Sequence, residues 1–555
     1  MIQENELLAQ AIKYHQSGDL DEAEKFYSEV LKNNPDNDTA LYFMGIMSHQ
    51  LSQFDLASVY IKRALDLNPK PEYFRDLGGV LTVLGKNEEA IHCYQHAIEL
   101  NNRDIDSLFN LASLYSGIKN FEGAVDCYEK LLAIDDTDFE VLNNLGSLYF
   151  NYKRDIPKAI ECFIKAITLN SQYPDAHFNL GLVYSWIDEN DKAIEEYEKA
   201  LELGNKFEGI YINLGTAYQE KNQLDKAESY YKKGLELYPE NPMLKFNLGC
   251  TLIKKAQFQE GWENFESRLQ VFDHHNLKLP DVPKYDGSQN LTGKKIYVYP
   301  ASESFGYGDS MLFARYLHSL SALGAKVVCS VQPWLEKLFF QSDLKAEIIS
   351  YSTPVNAEEF DYQLPFMSMA HAFKANEGNI PLKEGYLKAE PNKIREYKEK
   401  YFDNNYFKAG IFWYSPVADD IRTMSLSNFN GLFGIDGIRL YSLQKGEGIE
   451  QLDALPEAAR ITDLGSTFSD FADTAAAIMN LDLVITPDTS VAHIAGALGK
   501  PVFILIPFMP EWRWLVEREN TIWYDSARLF RQKEPGNWHQ PVDMIRNELF
   551  RLVNK

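Results

Sequence analysis

Cysteine is scarce in this sequence, and long apolar runs are missing. Five of the 555 residues are cysteine, and no two of them form a CxxC pair. That spacing speaks against a disulfide framework and against a zinc site, so we expect no bound metal. No stretch approaches the roughly 18 uninterrupted apolar residues that a membrane-spanning helix needs. The sequence therefore predicts no membrane span.

Basic residues are also in deficit. The chain carries 80 Asp and Glu against 55 Lys and Arg, a net charge of −25. Nucleic acids and anionic lipids are first bound through basic side chains that neutralise phosphate, so we expect neither as a partner. The acidic balance fits a basic protein partner, and solubility explains it more simply. The first residues lack the basic and apolar pattern of a secretory signal, which predicts a cytoplasmic protein.

The first half of the chain contains a repeat of 33 to 35 residues. Each unit has apolar residues at helical spacing on both sides of a short polar break, which predicts a helix hairpin. Cys93, Cys127 and Cys162 occupy one position of the repeat, where we expect small core fillers. The repeat is marked by two series of small residues, Ala23, Ala57, Ala90, Ala124, Ala159, Ala193, Ala227 and Gly261, and Gly45, Gly78, Ala112, Gly146, Gly181, Gly215 and Gly249.

These hairpins resemble the tetratricopeptide repeat family. The resemblance implies an α-solenoid of about eight units over residues 4–270, a tetratricopeptide superhelix whose inner helices line a groove for polypeptide. The family pattern is visible as Leu214, Gly215, Tyr218, Ala227, Tyr231, Gly234 and Pro239.

Asparagine precedes the first small residue by two positions in five units. Two helical steps turn by about 200°, so these side chains point away from the partner helix and are expected to form a ladder in the groove. Asn offers a donor and an acceptor, which suits a peptide backbone, and O-linked N-acetylglucosamine transferases carry a similar ladder that grips the acceptor protein. The alternative is a tolerated polar residue on a solvated face. The five are Asn110, Asn144, Asn179, Asn213 and Asn247, whereas Phe43 and Asp76 replace Asn in the first units.

The second half alternates short apolar strands with helices, which predicts parallel sheets in two lobes. The expected strands are KIYVYP, KVVCSV, AGIFWY, RLYSLQ, LDLVITP and PVFILIP, with helices SMLFARYLHSLSALG, SVAHIAGALG and PVDMIRNELFRLVNK. We predict repeats over 1–270, a linker over 271–291, a first Rossmann-like lobe over 292–404 and a second over 405–555.

The segment PDTSVAHIAGALGKP, residues 487–501, is the strongest candidate site. A strand should end at Pro487 and a helix begin at Thr489 or Ser490, so that its first N–H groups form an anion pocket for a nucleotide diphosphate. Asp488 is expected to cap this helix and His493 to follow one turn later. The alternative is an ordinary helix cap on a sheet-covering helix.

The stretch from Asp482 to Leu515 resembles the donor-binding end of bacterial tetratricopeptide-linked glycosyltransferases, which are similar to the heptosyltransferases of glycosyltransferase family 9. The resemblance implies a two-lobed GT-B module without an obligatory metal or other cofactor. It assigns Asp309, in ESFGYGDSMLFARYL, as the general base, with Gly306 and Gly308 keeping the acceptor loop free of bulky side chains. A helix N-cap is the alternative for Asp309.

Cations must stabilise the leaving diphosphate. Lys445 is the first candidate and Arg422 the second, and exposed salt bridging is the alternative for both. Relatives usually carry Ser or Gly followed by Gly or Asn where this chain has Tyr414, Ser415 and Pro416, which indicates an unusual donor or a weakened enzyme. Ser415 remains a candidate donor-binding residue. Trp512 and Trp514 could stack on a base or sugar, but packing is the commoner use.

Together these patterns predict transfer of a sugar from a nucleotide-sugar to Ser or Thr of a protein held by the repeats. In relatives of this architecture the acceptor can be flagellin, and the family suggests inversion. One alternative is transfer to lipopolysaccharide or another glycan, and another is a non-catalytic scaffold. The Asn ladder favours a protein acceptor, whereas Asp309 and PDTSVAH favour an active enzyme. The sugar, the nucleotide and the oligomeric state, including a homo-oligomer, stay open.

Overall fold

A computed structural model describes residues 2–272, 282–300, 306–402, 405–415, 421–454 and 461–554. The chain forms two compact units, Met1–Lys206 and Phe207–Lys555. In the described residues no helix is long and apolar enough to cross a membrane. The same residues contain no group of three or more His, Cys, Asp or Glu side chains placed to hold a metal ion.

The first unit consists of six helix hairpins. Several helices begin at capping side chains, as at Asp104, whose carboxylate accepts the Ser107 N–H at 3.2 Å. The hairpins are α1 (Ile2–Gln16) with α2 (Leu20–Asn33), α3 (Asp38–Gln50) with α4 (Phe54–Leu67), α5 (Pro71–Val83) with α6 (Asn87–Leu100), α7 (Ile105–Gly117) with α8 (Phe121–Ile134), α9 (Phe139–Leu148) with α10 (Ile156–Leu169), and α11 (Pro174–Trp186) with α12 (Asn190–Glu202).

Small residues bring the two helices of each hairpin together, as the repeat predicts. The eighth residue of α5 and of α11 is glycine, and each lies against a tyrosine of the next helix. A Cβ on Gly78 would stand 2.8 Å from the Tyr94 ring, and one on Gly181 would stand 2.6 Å from the Tyr197 ring. The absence of a Cβ therefore permits a close approach that any larger residue would prevent.

One hairpin carries an extra residue, since the small residues Ala124 and Ala159 are 35 positions apart. The structure absorbs the insertion in a π-helical turn, Tyr149–Lys153, which ends at Arg154 with a left-handed φ of 54°. A π turn adds one residue without breaking the helix direction. The contact partner of Gly146 consequently shifts by one position to Phe163.

The second unit begins with two more hairpins and continues into two parallel sheets. The hairpins are α13 (Glu208–Glu220) with α14 (Leu224–Leu237) and α15 (Pro242–Lys254) with α16 (Phe258–Phe265), followed by the short α17 (Arg268–Val271). The first sheet has the order β3-β2-β1-β4, from β1 (Lys295–Tyr299), β2 (Lys326–Val331), β3 (Glu347–Ser350) and β4 (Tyr362–Pro365). The second has the order β10-β9-β8-β5-β6-β7, from β5 (Phe407–Ile411), β6 (Ile438–Ser442), β7 (Ile461–Asp463), β8 (Leu483–Pro487), β9 (Val502–Ile506) and β10 (Ala527–Arg531).

Helices and 3-10 turns connect these strands, and a C-terminal helix packs on the second sheet as expected. The single helix predicted over SMLFARYLHSLSALG is instead two helices that meet at Arg315. Residues 310–317 are buried on every face, whereas half-buried and exposed residues follow from His318 onward. The helices are α18 (Tyr307–Ala314), α19 (Tyr316–Ala322), α20 (Glu336–Gln341), α21 (Met369–Ala372), α22 (Pro391–Tyr401), α23 (Gln451–Ala454), α24 (Phe471–Met479), α25 (Ser490–Ala497) and α26 (His539–Val553).

The compact units divide at residue 206 and not at the predicted boundary at 270. The reason is that the last hairpin shares a core with the α/β region, where Trp262 packs edge-on against Trp512 with ring centroids 5.5 Å apart. The predicted linker also differs, because Lys284 forms a parallel bridge to Gln363 of β4. Residues 273–281 of that linker lie outside the described residues.

Candidate active site

Both sheets reverse their strand order beside the predicted motifs. In the first sheet β1 lies between β2 and β4, and in the second β5 lies between β6 and β8. Parallel α/β sheets bind ligands outside the carboxyl ends of the strands at such switch points. Asp309 follows β1, and Asp488 follows β8. Each sheet thus presents one predicted site residue at its switch point.

The acceptor loop enters α18 at Gly306, which takes a left-handed φ of 76°. Asp309 is the third residue of this helix, so it is not the N-cap, and its side chain is 21% exposed. A Cβ on Gly308 would stand 2.6 Å from Cδ2 of His493. Gly306 therefore permits the turn into the helix, and Gly308 permits the close approach of α18 to α25.

The loop between β8 and α25 is built as expected, with one correction. β8 ends at Pro487 and α25 begins at Ser490, so Thr489 is the N-cap and Asp488 is not. The side chain of Thr489 makes no capping bond, and its hydroxyl lies 3.0 Å from that of Thr486. Asp488 is 2% exposed and turns toward a charged partner instead, because a buried carboxylate requires one. Thr489 and Ser490 remain half-buried at the first turn of α25.

Arg513 is that partner, and it joins the two loops. Its Nη2 donates to Oδ1 of Asp309 at 2.8 Å, and its Nη1 donates to Oδ2 of Asp488 at 3.4 Å. Burial acts to lower the pKa of Arg513, but the two carboxylates raise it above the ordinary value. The guanidinium therefore stays charged between them. Sequence reasoning missed this residue, although a basic side chain between two tryptophans in EWRW signals a buried, paired arginine.

His493 is a buried neutral ring rather than an open pocket residue. It is 2% exposed, and its Nδ1 lies 3.0 Å from the hydroxyl of Tyr524. Burial lowers the pKa of His493 to about 3, with the charge of Arg513 adding to the effect and that of Asp309 opposing it. At neutral pH this imidazole is uncharged and fixes the packing of α25 against α18.

Three successive residues of a 3-10 turn, Trp512–Trp514, reach three different neighbours. Trp512 packs on Trp262 of the last repeat helix, Arg513 binds the carboxylates, and the Trp514 ring stacks at 5.5 Å on His493. Both tryptophans are buried, at 5% and 0% exposure. Their use is packing, which the sequence favoured over stacking on a base or sugar.

The predicted cations occupy different surroundings. Nζ of Lys445 donates to the carbonyl of Phe468 and lies 5.7 Å from the ring centroid of Trp334, beyond β2. Arg422 is half-buried, and its charge contributes to the lowered pKa of His493. The contacts of Lys445 belong to another part of the carboxyl-end surface.

The WYSP loop is held by a buried glutamine. Oε1 of Gln444 accepts the N–H of Tyr414 at 3.0 Å, and its Nε2 donates to the Tyr414 carbonyl at 3.1 Å. Ser415 is half-buried, and its carbonyl accepts the Thr423 hydroxyl at 3.1 Å. Pro416 lies outside the described residues. The loop after β5 is thus anchored beside the switch point where Ser415 was predicted to act.

The asparagine positions are equivalent in every first helix, because each is the sixth residue of its helix. In the first unit Asn110 is exposed and Asn144 is half-buried. Nδ2 of Asn179 donates to Oδ1 of the buried Asn143 at 2.9 Å. Tyr42 similarly bonds Asp76 at an earlier unit. The sixth position therefore lies beside the preceding first helix, and Asn179 is already partly engaged.

The second unit contains the last two asparagines, Asn213 and Asn247, both half-buried. Beside them, Nε2 of Gln219 donates to the hydroxyl of Thr251 at 2.8 Å, and Nζ of Lys254 donates to Oε1 of Gln219 at 3.2 Å. Lys254 is 6% exposed, and burial lowers its pKa. This polar network lies between α13 and α15.

Two cavities lined by described residues lie away from these groups. One of about 310 Å³ is formed at the amino ends of β5, β6 and β7, around Tyr406 and Arg439. Another of about 660 Å³ lies beside the π-helical turn, where Lys153 and Lys158 face acidic residues of α8. Neither is lined by a predicted site residue, so the site rests on the carboxylate cluster.

Models of the tetratricopeptide repeat match residues 8–72, 78–117 with 153–185, 105–138, and 174–240. The chain carries tetratricopeptide repeats. Every matched stretch ends before residue 241, where the two-sheet region has not begun.

Relatives among characterised proteins share part of the chain. Protein FlbA of Caulobacter vibrioides is 26% identical over 321 residues, which are 52% of this chain and 52% of FlbA. A TPR repeat-containing protein of Methanocaldococcus jannaschii is 29% identical over 91 residues, 16% of each chain. The chain thus spans about half the length of FlbA and less of the second relative.

Solved structures are similar to part of the chain. A crystal structure of MamA is 34% identical and covers 29% of this chain and 93% of its own, with a TM-score of 0.28. A tetratricopeptide repeat protein of Cytophaga hutchinsonii is 21% identical and covers 43% of this chain and 99% of its own, with a TM-score of 0.39.

Proposed function

We propose that the protein is a glycosyltransferase that moves a sugar from a nucleotide-sugar to a Ser or Thr hydroxyl of a polypeptide bound by the repeats. The observation that supports it best is the meeting of Asp309 and Asp488 at Arg513. Two carboxylates from the switch points of two parallel sheets are brought together by one buried guanidinium. Such convergence of buried charge at a strand-end surface is typical of catalytic sites.

In this proposal the first turn of α25 binds the diphosphate of the donor. Its first N–H groups follow directly after β8, and anions are stabilised at helix N-termini by such groups and by the helix dipole. The half-buried hydroxyls of Thr489 and Ser490 add polar contacts. The positive charge of Arg422 acts on the same region, since it contributes to the lowered pKa of His493.

Asp309 then acts as the general base. It accepts the proton of the acceptor hydroxyl as that oxygen bonds to the anomeric carbon, while the bond from this carbon to the diphosphate oxygen breaks and the nucleoside diphosphate leaves with the electron pair. Its 21% exposed side chain at the start of α18 is open to an acceptor. The family resemblance suggests inversion at the anomeric carbon.

The repeats supply the acceptor site in this proposal. Asparagines at the sixth position of successive first helices present amide groups to an extended backbone, which needs both donors and acceptors. Asn110 is exposed and available for this use. Transfer to lipopolysaccharide or another glycan would leave this row of amides without a ligand.

A non-catalytic scaffold is the second candidate, and one observation favours it. The proposed base is already bonded to Arg513, and His493 is buried and neutral, so these groups also fit a purely structural role. In that case the repeats alone carry the activity, as a binding array for protein partners.

A thermal-shift screen distinguishes the two candidates. Wild type, Asp488→Ala and the exposed matched control Asp543→Ala are tested against UDP, GDP, CMP and ADP and their sugars. Enzyme function predicts a rise of Tm with one nucleotide class that Asp488→Ala loses and Asp543→Ala keeps. If no nucleotide raised the Tm, the scaffold would be favoured. An equal rise of Tm in all three proteins would mean that the nucleotide binds away from Asp488.

A further inference from the structure

The two ion pairs of Arg513 are unequal. Its bond to Asp309 spans 2.8 Å, and its bond to Asp488 spans 3.4 Å. Asp488 is sealed at 2% exposure, whereas Asp309 is 21% exposed. Water can therefore hydrate Asp309 when it separates from the guanidinium. Separating Asp488 would cost far more free energy, because it would leave a buried carboxylate unpaired.

Two buried N–H donors beside this cluster are unused. Within the described part of the chain, Nε of Arg513 and Nε1 of Trp514 have no hydrogen-bond partner. The residues are 8% and 0% exposed. Buried donors without acceptors destabilise the protein until an acceptor is supplied. A group with several acceptor oxygens, such as a diphosphate, is the kind of ligand that satisfies neighbouring N–H donors.

The charges of the bonded groups favour a rearrangement when an anion enters. Asp309 and Asp488 each contribute one negative charge and Arg513 one positive charge, while His493 is neutral. These bonded groups sum to one negative charge, which repels a diphosphate at the first turn of α25 while Arg513 stays bonded to both carboxylates. Glu511 adds to this repulsion, and Arg315 and Arg422 oppose it. The repulsion is relieved if the guanidinium turns its Nη2 edge from Asp309 to the phosphate oxygens.

We infer that Arg513 exchanges Asp309 for the donor diphosphate, so that Oδ1 of Asp309 is released toward the acceptor hydroxyl when the donor binds. This inference rests on the proposed function. The Oδ1 lone pair that accepts the N–H of Arg513 is released by this exchange, so that Oδ1 joins Oδ2 as an acceptor for the hydroxyl proton. Arg513 is thus a positioning residue that couples donor binding to the release of Oδ1.

The inference is tested by a double-mutant cycle of pyrophosphate binding. Inorganic pyrophosphate is titrated calorimetrically into wild type, Asp309→Asn, Arg513→Lys and the double variant, with UDP, GDP, CDP and ADP as further arms and inorganic phosphate as a reference. Arg518→Lys, on the same segment but paired with Glu377, is the matched control. The nucleotide arms distinguish a nucleoside diphosphate from a free phosphate ligand.

Exchange predicts effects of opposite sign. Asp309→Asn should tighten pyrophosphate binding by about tenfold, because Arg513 no longer has to leave a carboxylate. Arg513→Lys should weaken it by about tenfold, since lysine lacks the planar fork. In the double variant the tighter pyrophosphate binding caused by Asp309→Asn should vanish. If Asp309→Asn acted only by removing a repelling charge, the tighter binding would persist in the double variant. A persistent gain, or no binding of any arm to wild type and Asp309→Asn, would overturn the inference.

A second measurement stays informative if a variant folds poorly. The Arg513 Nε–H signal in ¹⁵N-arginine-labelled protein is assigned by its loss in Arg513→Lys. Pyrophosphate should shift this signal and slow its exchange with water, because the unused donor gains an acceptor. An unchanged signal under saturating pyrophosphate would contradict the exchange. Both readouts concern binding alone, so they can succeed even if the protein transfers no sugar.

Discussion

The repeat hairpins of the first unit and the two-sheet region place many of their charges differently. In the first unit many ion pairs lie at the surface, as between Lys130 and Asp126 with side chains 59% and 62% exposed. In the two-sheet region the side chains of Arg513 and Asp488 are 10% and 2% exposed. Surface pairs contribute up to about 1 kcal/mol, whereas breaking a buried pair costs about 3–5 kcal/mol.

Stability and chemistry are therefore located differently in the two regions. The repeats are stabilised by close contacts between small and large residues of neighbouring helices, such as Gly181 and Tyr197. The two-sheet region buries charged side chains in its interior, where they stabilise the fold only if every hydrogen-bond and ion-pair partner is present. A region that tolerates buried charge at strand ends is the one to examine for catalysis.

Arg315 gives the largest expected effect and tests the dependence on buried charge. It is fully buried, donates to the carbonyls of Leu312 and Trp523 at 2.9 and 2.6 Å, and stacks on Tyr386. Arg315→Ala should destabilise the protein by about 4 kcal/mol, because it leaves a cavity and unpaired acceptors. Urea unfolding of the full chain measures this, with the exposed Arg395→Ala as control. A loss of unfolding free energy below about 1 kcal/mol would contradict the claim that the two-sheet region depends on its buried charges.

Gly181 tests the close contacts of the repeats. A Cβ there would stand 2.6 Å from the Tyr197 ring, so Gly181→Ala should cost about 2 kcal/mol through overpacking. Gly117 is the matched control, since nothing lies within 4 Å of its Cβ position at the end of α7. Gly117→Ala should be neutral or stabilise by up to about 0.5 kcal/mol. Equal effects of the two changes in urea unfolding would contradict the packing account.

His493 makes the two-sheet region sensitive to acid. Its pKa is about 3 in the folded protein against an ordinary 6.5, so the unfolded chain takes up the proton first and stability falls as pH drops below about 6.5. Between pH 6.5 and 5 this residue should remove about 2 kcal/mol. Urea unfolding of wild type and His493→Gln at both values measures the difference. The same acid sensitivity in both proteins would assign it to other groups.

Asn179 and Asn110 give the smallest effect and test the polar positions of the repeats. Asn179 donates to the buried Asn143, so Asn179→Ala should cost about 1 kcal/mol, whereas Asn110→Ala should be neutral because its side chain is exposed. Urea unfolding measures both changes. If Asn110→Ala proved as destabilising as Asn179→Ala, that asparagine would be structural and not free for a peptide.

The sequence predicted the repeats well because one local pattern recurs in every hairpin. The small residues Gly78 and Gly181 met the expected partner helices, and β8 and α25 began and ended close to the predicted residues. Strands β3, β4, β7 and β10 were not singled out, since short edge segments such as Ile461–Asp463 carry too few residues for a clear period.

The candidate site was predicted only in part. Asp309 and Asp488 lie in loops between a strand and a helix as expected, since strand ends can be located from apolar runs followed by a helix. The pairing with Arg513 depends on contacts across 204 residues of chain, which no local pattern encodes. The same holds for the burial of His493 and for the distant contacts of Lys445.

The most direct test of the central claim is release of nucleotide from the donor identified by thermal shift, with water as a slow acceptor in place of protein. Wild type should release nucleotide, Asp309→Asn should bind the donor at least as tightly and turn it over at least about a hundredfold more slowly, and Asp543→Ala should match wild type. Turnover by Asp309→Asn equal to that of wild type would contradict the assignment of Asp309 as the base.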